Sequence, residues 1–204
     1  MTRCDDLAKI INGSFDLPAG ALDNAAGGLT NFSETAAGHL LPNSSSKGIF
    51  LGTSSVATEH LLDNYEEGDW TPAYSATSLV VSSYSLQVGR FIRIGHCVWI
   101  YGEIATGGIT TQGASTSLKI SGLPFFVKNE SFTRSAIQIS TCSSFGADNF
   151  PKFGTFEKNT TTITLHNFAS SDPRDGVVLG VLANNMATTS SDNRLEFSGH
   201  YRVS

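Results

Sequence analysis

From residue 68 onward the hydrophobic positions of this 204-residue chain recur with a period of two rather than 3.6. The clearest case is the last segment, where Leu195, Phe197, Gly199, Tyr201 and Val203 alternate with Glu196, Ser198, His200 and Arg202. One apolar and one wet face make a half-buried β-strand. Similar short strands are predicted at 78–84, 90–94, 98–104, 117–121, 135–141, 161–168 and 177–182. Gly95-His96 lies between two of them as a tight hairpin turn. No stretch has useful helical length, so the crossover helices of a parallel sheet are missing. The pattern predicts an all-β protein, with an antiparallel β-sandwich or jelly-roll-like domain of roughly eight strands.

The chain divides near residue 60. Both tryptophans, all five tyrosines and ten of the thirteen phenylalanines lie beyond that point, so the side chains that build a core are concentrated there. The first sixty residues hold isolated apolar pieces, such as Leu7-Ala8-Lys9-Ile10-Ile11 and Ile49-Phe50-Leu51, between Gly, Ala, Ser and Asn punctuation. A helical turn or two fits residues 5–11, and the rest reads as extended segments and turns. Residues 1–60 are therefore expected to form an extended arm, ordered by sister subunits or another surface. Residues 61–204 are expected to form the β-domain.

Composition narrows the function. Charged residues make up only 15% of the chain and the formal net charge is −5. No basic stripe is available to neutralise phosphates, which argues against a nucleic-acid partner. No apolar run approaches a spanning helix and the first residues lack the apolar centre of a signal peptide, so membrane insertion is not expected. Cys4, Cys97 and Cys142 are widely spaced, with neither a zinc pattern nor an even disulfide set. Cys97 beside His96 is the one adjacency a nucleophile could use, but strand neighbours point to opposite faces.

Candidate chemistry is thin. Glu66, Glu67, Asp69 and Glu103 could supply a carboxylate pair for glycoside hydrolysis or oxygens for calcium, against the simpler reading of a solvated turn. His39, His60, His96, His166 and His200 are scattered without a ligand spacing. No G-x-S-x-G elbow or phosphate-loop context occurs. No catalytic residue, cofactor or metal ligand is nominated.

Four segments carry a resemblance. Leu62-Asp63-Asn64-Tyr65-Glu66-Glu67-Gly68-Asp69-Trp70-Thr71-Pro72 is followed by Gln87-Val88-Gly89-Arg90-Phe91-Ile92-Arg93-Ile94-Gly95 with Val98-Trp99-Ile100-Tyr101-Gly102-Glu103-Ile104. Then come Ile120-Ser121-Gly122-Leu123-Pro124-Phe125 and Ser198-Gly199-His200-Tyr201-Arg202. In this order they resemble the tail-fibre and fibre-like structural proteins of tailed bacteriophages, whose first motif reads LDDYEEGTWTP. Asn64 and Asp69 replace the usual Asp and Thr. Lys47-Gly48-Ile49-Phe50-Leu51-Gly52 resembles the glycine-framed segment that precedes that motif.

The resemblance implies a virion protein made in a bacterial cytoplasm: a short, homotrimeric fibre or spike whose arm, residues 1–60, docks on a tail, baseplate or capsid protein. Host-surface binding, with a glycan as the candidate receptor, would fall to the β-domain. The alternatives are a non-adhesive decoration or adaptor protein and, third, a glycan-degrading spike. The motif residues with an implied structural role are Tyr65, Glu66, Glu67, Gly68, Trp70, Thr71, Pro72, Gly89, Arg90, Gly95, Gly122, Leu123, Pro124 and Phe125. Residues 66–69 are expected to turn the chain between arm and domain. Receptor contacts are expected in the loops 105–116, 143–156 and 170–176. Phe145, Phe150, Phe153 and Phe156 lie in the second of these, where each would serve a buried core equally well.

Overall fold

The computed structural model describes residues 32–34, 40–42, 49–50, 61–62, 64–130, 135–146, 150–168, 178–188 and 192–203. Two units are present, Met1–Asp63 and Asn64–Ser204. In the first, strand β1 (Phe32–Glu34) pairs antiparallel with β2 (Leu40–Pro42), and β3 (Ile49–Phe50) with β4 (Leu61–Leu62). The helical turn expected at 5–11 lies outside the described residues.

The second unit is all-β and antiparallel. Its strands are β5 (Tyr65–Trp70), β6 (Ala73–Ser75), β7 (Val80–Ile94), β8 (Cys97–Thr111), β9 (Lys119–Ser121), β10 (Ala136–Ser143), β11 (Phe153–Phe156), β12 (Thr162–Phe168), β13 (Val178–Gly180) and β14 (Asp192–Arg202). They form one sheet in the order β5-β7-β8-β14-β10-β11-β12-β9-β6, with β13 also paired to β12. A single 3-10 turn, Ala183–Asn185, is the only helical element among the described residues.

One sheet supplies both layers by curling. β7 and β8 are each 15 residues long, and their register slips four times between Val80 and Leu86. Bulges of this kind bend a ladder and deepen its twist. The segments predicted at 78–84 and 90–94 are thus one continuous strand, joined to β8 through Gly95-His96 with Ile94 opposite Cys97. Gly95 takes φ +56°, which glycine adopts freely at the first position of such a turn. The two ends of the sheet, β5 and β6, are consecutive in sequence and separated only by Thr71 and Pro72. Pro72 has no N–H to give either ladder, and its carbonyl accepts from the Gln87 side-chain amide at 2.8 Å. The Tyr84 hydroxyl accepts from the Tyr74 N–H at 2.9 Å, so β6 is tied back to β7.

The inner face makes one core. Val98, Ile104, Leu118, Ile120, Ile163, Leu165, Leu195 and Phe197 are completely buried in it. At its centre Trp70, Gly89, Gly102 and Phe197 are successive cross-strand partners on β5, β7, β8 and β14. The indole covers Gly89 and the phenyl ring covers Gly102. A Cβ at these glycines would lie 2.5 Å from Trp70 and 2.3 Å from Phe197. The two rings meet edge-on with centroids 6.1 Å apart, and the indole N–H is shared between the carbonyls of Tyr101, at 3.1 Å, and Arg90, at 3.3 Å.

The region 66–69, expected as a turn, is strand β5, hydrogen-bonded along its length to Gly89–Ile94. Its acidic side chains read as a turn, but an edge strand need not bury its outer face, and Gly68 makes room for the Phe91 ring on the inner one. β11 was likewise expected as loop. Gly154 within it is a close-approach position against Ile137 and Ile163 rather than a turn residue.

A second, polar anchor lies at Asn193, completely buried and at φ +50° in a bulge of β14. Its side-chain amide donates to Thr106 Oγ1 at 3.0 Å and the Ala187 carbonyl at 2.8 Å, and its Oδ1 accepts from the Ala187 N–H at 2.9 Å. The Tyr74 hydroxyl donates to the Asn193 carbonyl at 2.5 Å. Every polar group of the side chain is therefore satisfied without water.

Two substitutions test these anchors by urea denaturation. Gly102→Ala should cost about 1–3 kcal/mol through collision with Phe197. Phe197→Leu in that background should recover part of the loss, whereas simple additivity of the two would refute the collision. Asn193→Ala should cost about 2–4 kcal/mol, since it strands buried partners and places alanine at a left-handed position.

Candidate interaction face

The outer face of β5, β7, β8 and β14 departs from the wet surface that alternation leads one to expect. Its register rows are Tyr65-Ile94-Cys97-Arg202, then Glu67-Ile92-Trp99-His200, then Asp69-Arg90-Tyr101-Ser198. Val88 heads a fourth row with Glu103 and Glu196. Tyr65, Val88, Ile92, Ile94, Trp99 and Tyr101 are between 41 and 65% exposed here. Ile92, Ile94, Trp99 and Tyr101 adjoin one another with Tyr65 at their edge, and Arg90, paired with Asp69, stands between them and Val88. Beside Trp99 a shallow recess of about 360 Å³ is lined by Ala136, Gln138, Ser198 and His200, with the imidazole 6.5 Å from the indole.

A wider recess of about 600 Å³ sits elsewhere on the domain, lined by Ser75, Thr77, Ser115, Thr116, Ser117 and Lys119. Asn184 donates to the Ser115 hydroxyl at 3.0 Å, while Thr116 Oγ1 is buried without a protein partner. Five hydroxyls and one ammonium make this a donor- and acceptor-rich surface.

The carboxylates do not converge. Glu66 shares its strand face with Gly68 and Trp70, while Glu67 and Asp69 take the opposite one. Asp69 pairs with Arg90 at 3.2 Å, both largely exposed, and Glu103 pairs with Arg194, which also reaches Glu196 at 3.0 Å. None of them lies in a recess described above. Among the described residues no group of three His, Cys, Asp or Glu side chains comes together as a metal would require. His166 bonds Thr155 at 2.8 Å and stacks on Phe153, His200 lies by Trp99, and His39 and His60 fall outside the described residues. Burial raises the Cys97 thiol above its ordinary pKa, the opposite of what a nucleophile needs.

The expected receptor loops are corrected in part. Residues 105–111 belong to β8, Phe145 and Phe156 are buried, and Phe150 packs against the core. Phe145 meets Tyr74 edge-on at 6.3 Å, so it anchors its loop instead of displaying it. Residues 170–176 lie outside the described residues. The apolar outer face was missed, although its signal was available. Val98-Trp99-Ile100-Tyr101 is apolar at consecutive positions, and a strand apolar on both faces is one that is covered on both.

The segments that resemble phage fibre proteins meet one another. Trp70, Gly89 and Gly102 share the central row with Phe197, the residue before Ser198. Gly122, at φ +94°, packs against the Thr71 carbonyl, which a Cβ would approach to 2.4 Å. Phe125 meets Phe91 edge-on at 5.4 Å, with the Arg93 guanidinium 5.0 Å from its ring centroid. The Tyr201 hydroxyl donates to the Phe125 carbonyl at 3.2 Å and accepts from its N–H at 3.3 Å. Leu123 is buried, and its N–H donates to the Thr161 carbonyl at 3.2 Å. Comparison of the chain with family models, curated proteins and solved structures gives no match.

The buried acids set an alkaline limit. Burial pushes the Cys142 thiol from its ordinary 9 up to about 11, and raises Tyr74, Tyr84 and Tyr201 above the usual phenol value. Below about pH 8 these groups are protonated folded and unfolded alike and contribute no pH dependence. Between pH 9 and about 11 the unfolded thiol ionises while the folded one keeps its proton, so stability falls as pH rises, and the phenols extend the loss upward. Melting temperature measured across this range should decline, and Cys142→Ala should flatten the lower part. An unchanged curve would refute the assignment to Cys142.

Proposed function

We propose that this chain is a structural protein of a tailed-bacteriophage virion, a short homotrimeric fibre or spike attached to the tail, baseplate or capsid through residues 1–60. Its β-domain faces the host and binds a surface glycan. The observation that carries the reading is the meeting of the four resembling segments. Trp70 rests on Gly89, Gly122 on the Thr71 carbonyl, Phe125 on Phe91, and Tyr201 holds the Phe125 backbone. A likeness confined to one short string would explain one contact. These residues, spread from Trp70 to Tyr201, hold the corner where the chain passes from one end of the sheet to the other.

The hydroxyl-lined recess supports the glycan part. Ser115, Ser117 and Lys119 stand at its wall within or beside the segment 105–116, and hydroxyls with an ammonium match the hydrogen-bonding edge of an acidic saccharide. Purified protein added to host cells should block phage adsorption, and the triple variant Ser115→Ala, Ser117→Ala, Lys119→Ala should lose the block while keeping its melting temperature. Protein that stabilises particles without blocking adsorption would replace the adhesive role with that of a decoration or adaptor protein.

A further inference from the structure

We infer that the apolar outer face of β5, β7, β8 and β14 is where copies of this chain meet one another. Tyr65, Val88, Ile92, Ile94, Trp99 and Tyr101 present on the order of 500 Å² of side-chain surface, as large as the greatest apolar patch of an ordinary monomer. With the polar border added, the face reaches the roughly 800 Å² each partner contributes to a standard interface. Three aliphatic side chains suit another protein surface better than a sugar ring.

Charge selects a second copy as the partner. Across the second register row Glu67 stands at the β5 border, Ile92 and Trp99 in the middle, and His200 at the β14 border; the first row ends on Arg202. A copy turned by half a revolution about the strand direction lays its β5 border over the β14 border of the first. Glu67 then faces His200, Ile92 faces Trp99, and Tyr65 faces Arg202, whose guanidinium already holds Glu130 at 3.0 Å. A heterologous ring makes the same acidic-to-basic contact, so the arrangement closes with two or three copies. The inference rests on the proposed virion role only for the expectation of three.

The test uses the full chain. Light scattering behind size exclusion should give an oligomer for the wild type and a monomer for Ile92→Asp with Trp99→Asp, with the dissociation constant raised on the order of 30-fold or more. A variant that keeps the wild-type mass overturns the face and leaves the virion reading intact. A monomeric wild type overturns the face and the expected trimer together. A variant that fails to fold is replaced by a mild-oxidation experiment on Glu67→Cys with His200→Cys. These two positions lie three strands apart in one copy, roughly 14 Å, too far for an internal disulfide. Covalent dimers or trimers that are absent from each single variant support the contact, and monomer alone overturns it. A monomeric wild type whose tryptophan fluorescence is quenched by host polysaccharide, with the quenching lost in Trp99→Asp, would instead make the face a glycan site and overturn the proposal.

Discussion

The curled sheet depends on two glycines lying under two aromatic rings. Gly89 and Gly102 are neighbours on adjacent strands, and the missing Cβ atoms let Trp70 and Phe197 lie against the backbone from either side. A side chain at either glycine would lift its ring, open the inner layer and detach the indole N–H from the carbonyls it bridges. Because Trp70 ends β5 and is followed at once by Thr71-Pro72, its position also fixes where the chain leaves β7 and crosses to pair with β9. The ring contact and the passage of the chain from one end of the sheet to the other are one constraint. Gly122 beneath the Thr71 carbonyl and the Tyr201 hydroxyl on Phe125 hold the same corner from its other sides.

Much of this was legible in the sequence. Alternation in 195–203 marked β14 apart from its first three residues, and Gly95-His96 marked the β7–β8 hairpin with its two apolar strands. β5 was hidden because Glu66-Glu67-Gly68-Asp69 has the composition of a turn. Its extended form comes from the ladder to β7 and from Phe91 needing the space at Gly68, neither of which is local. β11 was hidden for a related reason: a glycine that signals a turn by propensity can equally mark a close approach between strands. Asn193 carried no sequence signal at all, since its worth lies in joining the nearby Ala187 to Tyr74 on β6 and Thr106 on β8.

The interaction face shows the limit of reading period two as one wet side and one dry side. β14 follows that rule, with Ser198, His200 and Arg202 outward. β7 and β8 break it through Ile92, Ile94, Trp99 and Tyr101, and the break is regional, confined to the strands between β5 and β14. Core burial cannot require those residues, because their side chains point away from the core. A surface that is apolar where only solvent lies is expensive to maintain in solution and useful where another surface arrives.

β14 has a consequence for how the chain is made. It emerges from the ribosome after every other strand described here, yet it belongs at the middle of the sheet, between β8 and β10. The hairpin of β7 and β8 can pair early and β10 can pair with β11, but the two halves of the sheet join only through β14, and Phe197 and Asn193 arrive only with it. Completion of this domain therefore waits for β14 and is governed by contacts of long sequence separation, which form slowly. A chain interrupted before β14 would present two incomplete half-sheets with open edges, which cellular proteolysis can distinguish from finished protein.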